Sequence, residues 1–347
     1  MSRAYLDWNA TAPLRPEARA AVIEALDVLG NPSSVHAEGR AARRVVARAR
    51  EQVAEAAGAA GADVVFTASA TEAAALALAG RGLASAPVEH DCVGAWTDGA
   101  LGVSPEGRVA VPDPGAAALQ AANSETGIVQ DLPLGVAVTD AVQLFGKLPF
   151  AFDWSGARMA LLSSHKIGGP RGAGALLLRR GDEVTPVLRG GGQEMGRRAG
   201  TEDVAAIAGF GAAAEAAARD LADGTWQGVA ELRNVLESLL EDGDRQTISV
   251  GKEAPRLPNT LCAFAPGWKG ETQVMRMDLA GFAISAGSAC SSGKVRASRV
   301  LTAMGYAPED AACAIRVSLG PATTEAEVRR FADAWRAARD KAARRAA

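Results

Sequence analysis

Apolar positions recur at helical spacing through residues 16–29 and 37–58 and predict two helices, the second with Arg and Glu on its other faces. That period breaks at the β-branched run Val64-Val65-Phe66-Thr67, which predicts a strand. The segment behind it, ASATEAAALALAG, is rich in Ala and Leu and predicts a helix. Strand-like runs return at 119–122, 136–139, 159–162 and 174–178, separated by helical or Gly-rich stretches. Strands alternating with helices predict an α/β fold, a mostly parallel sheet with helices on both faces. Ala-rich helical patterns follow at 202–222 and 226–241, then strand-like ISV and NTLCAF, a helix near 271–280, and a mixed segment ending in a helix at 324–345. The pattern divides the chain into a large unit, 15–240, and a smaller α+β unit, 241–347, joined by residues 1–14. The loops 190–201 and 285–298 are Gly/Ser-rich and long enough to carry function.

Composition narrows the field. At 347 residues the chain can bury a large core, and its 48% hydrophobic and 22% charged residues are ordinary for a globular protein. A net charge of −3 gives no basic field for nucleic acid or an acidic membrane. The basic run from Arg339 to Arg345 lies on an Ala-rich helical pattern and reads as a solvated face. No signal-peptide pattern opens the sequence, and no apolar stretch of roughly 18 residues is free of charge. Cys92, Cys262, Cys290 and Cys313 form no CxxC pair, which disfavours zinc or a disulfide framework and suits a reducing cytoplasm. Chemistry needing Lys or His must draw on six lysines and three histidines.

Five segments can carry chemistry. Lys166, in SSHKIGGPRGAGALLL (163–178), sits between a strand-like run and a glycine-dense turn. A lysine placed so can form a Schiff base with an aldehyde cofactor; a surface lysine is the competing reading. The same glycines fit neither a dinucleotide turn, because a strand rather than a helix follows, nor a P-loop, because the lysine precedes them. FTASATEAAALAL (66–78) reads as strand, small-residue turn and helix, whose first N–H groups can cradle a phosphate; Ser69 and Glu72 fit helix capping equally well. Asp140, closing the strand VAVT, stands where open α/β sheets bind ligands, or else caps the next helix. His90 can stack on an aromatic ring or move protons, or be a structural histidine. Cys290 lies among Ser and Gly in SAGSACSSGKVRAS (285–298), a poor place for a core cysteine; Cys262 and Cys313 read as core.

Together these segments resemble the cysteine desulfurases, pyridoxal-phosphate enzymes of the class-V aminotransferase group. The resemblance rests on YLDWNATAPL (5–14), GNPSSVH (30–36), FTASATE (66–72), EH (89–90), NSETG (123–127), DAVQ (140–143), SSHKIGGPRG (163–172), GGGQE…RAGTE (190–202), SAGSACSSG (285–293) and IRVSLG (315–320), in that order. It implies the fold-type-I transferase architecture, a seven-stranded-type sheet plus a smaller α+β domain. It makes Lys166 the lysine that holds the cofactor and moves the Cα proton. Asp140 becomes the partner of the pyridine nitrogen, His90 the residue stacked on the ring and a participant in catalysis, and Gln143 the contact to the ring hydroxyl. Asn123 and the residue after it touch the ring, and Ala70, Thr71, Ser163 and His165 hold the phosphate. Thr201 reaches the phosphate in a second subunit, implying a homodimer. Asn31 and Arg316 bind the substrate amino acid.

The implied reaction converts L-cysteine to L-alanine with a persulfide on Cys290, passed on to an acceptor such as an iron–sulfur scaffold protein. The spacing from Cys290 to Met304 matches the branch with an extended cysteine loop. Three positions depart from the pattern: Ser124 replaces a second Asn, Met195 an Arg, and Trp8 a Tyr. The competing readings are a selenocysteine lyase, another class-V aminotransferase, or a scaffold of sulfur assembly that has lost catalysis.

Overall fold

The computed structural model describes residues 3–242, 247–287 and 297–346. Its elements begin with strand β1 (Ala4–Tyr5), helices α1 (Pro16–Leu26) and α2 (Ala37–Ala56), strand β2 (Ala62–Thr67), and helices α3 (Ala70–Leu78) and α4 (Asp91–Gly94). Strands β3 (Ala118–Gln120), β4 (Val138–Asp140), β5 (Met159–Ser163) and β6 (Gly174–Arg179) follow, then helices α5 (Val204–Ala222) and α6 (Thr225–Asp242). The remainder is β7 (Ile248–Ser249), β8 (Thr260–Phe264), α7 (Gly270–Leu279), β9 (Phe282–Ala283), β10 (Ser285–Ala286), α8 (Arg299–Ala303), α9 (Pro308–Ala311), β11 (Ala314–Ser318) and α10 (Glu325–Ala346).

The main sheet has the order β2-β6-β5-β4-β3, and a parallel bridge between Ala84 and Ala117 extends it beyond β3. The pairs β3–β4 and β4–β5 are parallel, while β6 is antiparallel to both its neighbours, so four strands run one way and β6 runs back. Both faces are covered. Val64, Phe66, Ala175 and Leu177 pack with α2 and α5, whereas Val65, Leu176 and Leu178 pack with α3. A sheet buried on both sides explains why these strands read as continuous apolar runs. Helix α2 buries Ala42, Val46, Ala49 and Val53 at helical spacing and is capped by His36, which accepts the Gly39 amide. Helix α5 meets α2 closely at Gly211, where a Cβ would lie 2.7 Å from the Cα of Ala49.

The common direction of β2, β3, β4 and β5 brings their C-terminal ends to one edge. Gln120 opposes Asp140, which opposes Leu161, two residues before Ser163. Helix α3 springs from the same edge just beyond β2, and Gly174 lets β6 pass beneath it. A Cβ at Gly174 would lie 2.8 Å from the backbone nitrogen of Ala70.

A second, antiparallel sheet has the order β10-β11-β8-β7, and β1 pairs in parallel with β9. Its core joins Leu6 and Ala4 to Leu261, Phe282, Leu319, Phe331 and Trp335, so the two ends of the described chain pack together. A bridge from Asp7 to Ser318 then carries the N-terminal segment from this sheet toward the first.

Candidate active site at the C-terminal edge of the main sheet

Lys166 ends a single 3₁₀ turn, Ser164–Lys166, placed directly after β5. Its amine donates to the backbone carbonyls of Asn9 (2.7 Å) and Ala10 (2.8 Å). The lysine thus reaches across from the main sheet to the N-terminal segment, which the second sheet holds in place.

Beside it lies a recess of about 390 Å³ lined by Ala10, Thr11, Ala68, Ser69, Ser163 and His165, with Arg171 at its rim. Ser69 caps α3 by accepting the Glu72 amide, and the Glu72 carboxylate folds back to the Ala68 amide. The cap uses the amides of Ala68 and Glu72 and not those of Ala70 and Thr71 between them, so capping and anion binding are compatible at this helix start. Nδ1 of His165 lies 3.1 Å from the Thr11 hydroxyl. Burial, with the nearby cations of Lys166 and Arg171, lowers its pKa to about 4 and keeps the imidazole neutral.

Asp140 is buried at the end of β4, where its Oδ1 accepts the Val142 amide at 2.9 Å. Burial raises its pKa, opposed by that hydrogen bond and by His90 and Lys166. His90 caps α4, its Nδ1 accepting the Cys92 amide at 3.2 Å with the Cys92 sulfur at 3.1 Å. An Nδ1 that accepts an amide proton leaves the proton of the neutral ring on Nε2. Glu89 is buried too, and its Oε1 accepts the Gln120 amide. Burial raises its pKa well above that of an ordinary carboxylate, opposed by the Gln120 hydrogen bond.

Gln143 donates from Nε2 to the Asn9 carbonyl at 3.0 Å. Asn123 folds its own turn, its Oδ1 accepting the Glu125 and Thr126 amides, and its amide donates to the Val88 carbonyl. Arg316, on β11, pairs with Asp7 at 2.7 Å and donates to the Ser124 carbonyl at 3.0 Å. Its Nε is buried without a partner among the described residues. Lys166, Gln143, Ser124 and Arg316 therefore converge on the Asp7–Ala10 segment, with Ser163 and His165 lining the recess. Asn31 and Thr201 are exposed, Asn31 accepting the Ser33 amide in its own turn. Cys290 lies outside the described residues; Cys92, Cys262 and Cys313 are buried.

The sequence did not single out Asn9, Thr11, Glu89, Arg171 or Lys147. Lys147 belongs to the short list of lysines, and its spacing of four from Gln143 was the available signal. The two side chains do meet, with Lys147 Nζ 2.8 Å from Gln143 Oε1.

A doubly covered, mostly parallel sheet, a lysine after one strand and a buried carboxylate ending the next define an α/β enzyme of the transferase type. The model of the class-V aminotransferase family matches residues 4–93 and 98–331, and the chain belongs to that family. Its place within it is with the cysteine desulfurases. The cysteine desulfurase of Frankia sp. (strain EuIK1) is 39% identical over 95% of this chain and 89% of that protein. The cysteine desulfurase of Cereibacter sphaeroides is 37% identical over 95% and 94%. Among solved structures, the NifS-like protein of Rickettsia africae ESF-5 superposes with a TM-score of 0.88 at 29% identity, covering 97% of this chain and 99% of that one. SspA in complex with cysteine has a TM-score of 0.74 at 27% identity, over 92% and 100%. Among the described residues no helix is long and apolar enough to cross a membrane.

Proposed function

We propose that the chain is a pyridoxal-phosphate-dependent cysteine desulfurase, converting L-cysteine to L-alanine and placing the sulfur on Cys290. The observation that carries this reading is the convergence of the Lys166 amine, the buried Asp140 carboxylate and an open helix start at one sheet edge, in a chain of this family.

The residues present fit the cofactor. The α3 start at Ala70 and Thr71, with Ser163, neutral His165 and Arg171, suits a phosphate ester. Asp140 suits a pyridine nitrogen, Gln143 a ring hydroxyl, and Asn123, Ser124 and His90 the ring's surroundings. When bound, pyridoxal phosphate supplies an electron sink next to the substrate Cα.

Lys166 moves the proton at the substrate Cα, and His90 stands ready as a second proton carrier. Arg316 takes the substrate carboxylate, helped by Asn31, and its present pairing with Asp7 holds the guanidinium in position meanwhile. Cys290 attacks the substrate sulfur as the thiolate. The C–S bond breaks with its electron pair on carbon, that carbon takes up a proton, and alanine leaves. The persulfide passes to a sulfur acceptor such as an iron–sulfur scaffold protein. Thr201, on an exposed loop, completes the phosphate site of a second subunit in a homodimer, and the enzyme works in the cytoplasm. We also divide the chain into units 15–240 and 1–14 with 241–347; α6 straddles that division, because Trp226 and Leu236 pack into the second core.

Incubation of the loaded protein with L-cysteine should release alanine and sulfide in the presence of a thiol reductant. Lys166→Ala should abolish both, and Cys290→Ala should stop sulfide release while the yellow colour remains. Absence of alanine from the wild type overturns the reading. Borohydride reduction followed by peptide mapping tests Lys166 separately; a label on another lysine overturns its assignment.

A further inference from the structure

Lys147 is 2% exposed, and its amine makes two hydrogen bonds, to Asn9 Oδ1 at 2.9 Å and to Gln143 Oε1 at 2.8 Å. Among the described residues no carboxylate pairs with it. Asn9 collects the rest of the network. Its carbonyl oxygen takes the Lys166 amine and the Gln143 amide, and its Oδ1 takes Lys147 and the Asn259 amide. Its own amide donates to Thr260 Oγ1 at 2.8 Å and to the Ser124 carbonyl at 3.3 Å. Two amines, Lys147 and Lys166, thus hang on the two oxygens of one asparagine.

We propose that Lys147 is a positioning residue for the active site, fixing through Asn9 and Gln143 where the Lys166 amine sits and which face of the Gln143 amide points outward. Gln143 can turn its amide either way about its last bond. With Oε1 held by a donor, the NH₂ group is committed to the Asn9 carbonyl and to whatever oxygen lies beyond it. Asn9 is fixed in the same manner, because Lys147 and Asn259 both donate to Oδ1 and leave Nδ2 to Thr260 and Ser124.

Two acceptors and, among the described residues, no carboxylate suit the amine in its uncharged form. Its lowered pKa follows from burial first, then from the cations of Lys166 and Arg316. A neutral amine has two N–H donors, and two acceptors are present; an ammonium would bury a third donor and a full charge. An uncharged Lys147 also leaves Lys166 free to take up a proton without a second cation beside it. An arginine here would impose a permanent charge.

This inference rests on the reading of Lys166 as the cofactor lysine, which borohydride mapping tests by itself. The wild-type apoprotein, labelled with ¹⁵N-lysine, provides a readout independent of activity. The Nζ resonance that disappears in Lys147→Met should report a neutral amine at pH 7. An ammonium signal there overturns the proposal.

In the loaded protein, Lys147→Met should weaken pyridoxal-phosphate retention by about tenfold, the effect of one acceptor left without its donor. It should also shift the pH transition of the yellow band, with far-ultraviolet dichroism unchanged. Lys147→Gln, an uncharged donor, should recover part of both, and Lys147→Arg should recover neither. A folded Lys147→Met with wild-type retention and an unmoved transition overturns the proposal. Should that variant fail to fold, the resonance is assigned by its loss in Lys147→Gln, and the same criterion at pH 7 decides.

Discussion

The unfolded chain protonates His165 near pH 6.5, while the folded chain does so only near pH 4. Between those values the unfolded state holds more protons, so this residue makes stability fall as pH falls through the window; above it both states are neutral and the effect vanishes. Thermal melts of the apoprotein should therefore drop more steeply between pH 6.5 and 4 in the wild type than in His165→Gln. Parallel curves would show that the ring is not held neutral. A bound phosphate ester favours the imidazolium, so loading the site should shallow the wild-type slope. Arg316 and Asp7 offer a second test, since both are largely buried in their ion pair, at 11% and 16% side-chain exposure. Removing Asp7 leaves the guanidinium with one carbonyl partner, Ser124, and Asp7→Ala should cost about 3 kcal/mol in urea unfolding. Single residues with a local signature were legible in the sequence: Lys166 by its glycine turn, and Asp140 by its place at a strand end. Asn9 was not, because its role arises from contacts more than a hundred residues apart. Lys147 showed locally only its spacing of four from Gln143, while its bond to Asn9 crosses 138 residues.

The loop after β6 shows how an irregular segment is held. Glu194 and Met195 both have positive φ, 48° and 59°, which side chains adopt at a cost. Glu194 offsets that cost by placing its carboxylate against Arg50, at 2.8 Å to each oxygen, and the Phe66 amide. Arg197 pairs with Asp63 and Glu183, and Arg198 with Glu72, so the loop is pinned to β2 and to the first turn of α3. Met195 is itself 61% exposed, and Met195→Gly should stabilise the chain by about 1 kcal/mol, seen as a raised melting temperature. Unchanged or lowered melting would mean that its side chain makes up for the backbone. At α3, Ser69→Ala should cost about 1 kcal/mol by removing the cap on the Glu72 amide. The long helices and the strands of the main sheet were legible because each carries its pattern in its own residues, as α2 does. By contrast, β11 and the short helices α4, α8 and α9 lay unread in a mixed segment or a loop. The reversal of β6 was not legible, since an apolar run has the same pattern read in either direction. The two-residue strands β1, β9 and β10 escaped for a related reason: they are too short to show any alternation.

Helix α5 packs into the first core and α6, directly after it, into the second, and a buried ion pair beside α6 tests how the parts depend on each other. Glu237 on α6 faces Arg256, just before β8, at 2.8 Å, with side-chain exposures of 6% and 7%. Arg233, one turn earlier, is half-buried, and desolvation together with Arg256 lowers its pKa. One carboxylate therefore stands between two cations, and Nη1 of Arg256 is already buried without a partner among the described residues. Glu237→Ala would leave the buried Arg256 guanidinium without its carboxylate and beside the half-buried Arg233, at a cost of about 3–5 kcal/mol. Taking out the second charge as well removes that penalty. Glu237→Leu combined with Arg256→Met should recover most of the loss, because two apolar side chains of similar volume need no solvent that burial has taken away. Urea unfolding of the single and double variants measures the difference directly. If the double variant is no more stable than Glu237→Ala, the pair's worth lies in its hydrogen bonds and packing rather than in charge balance, and the junction at α6 is held by shape.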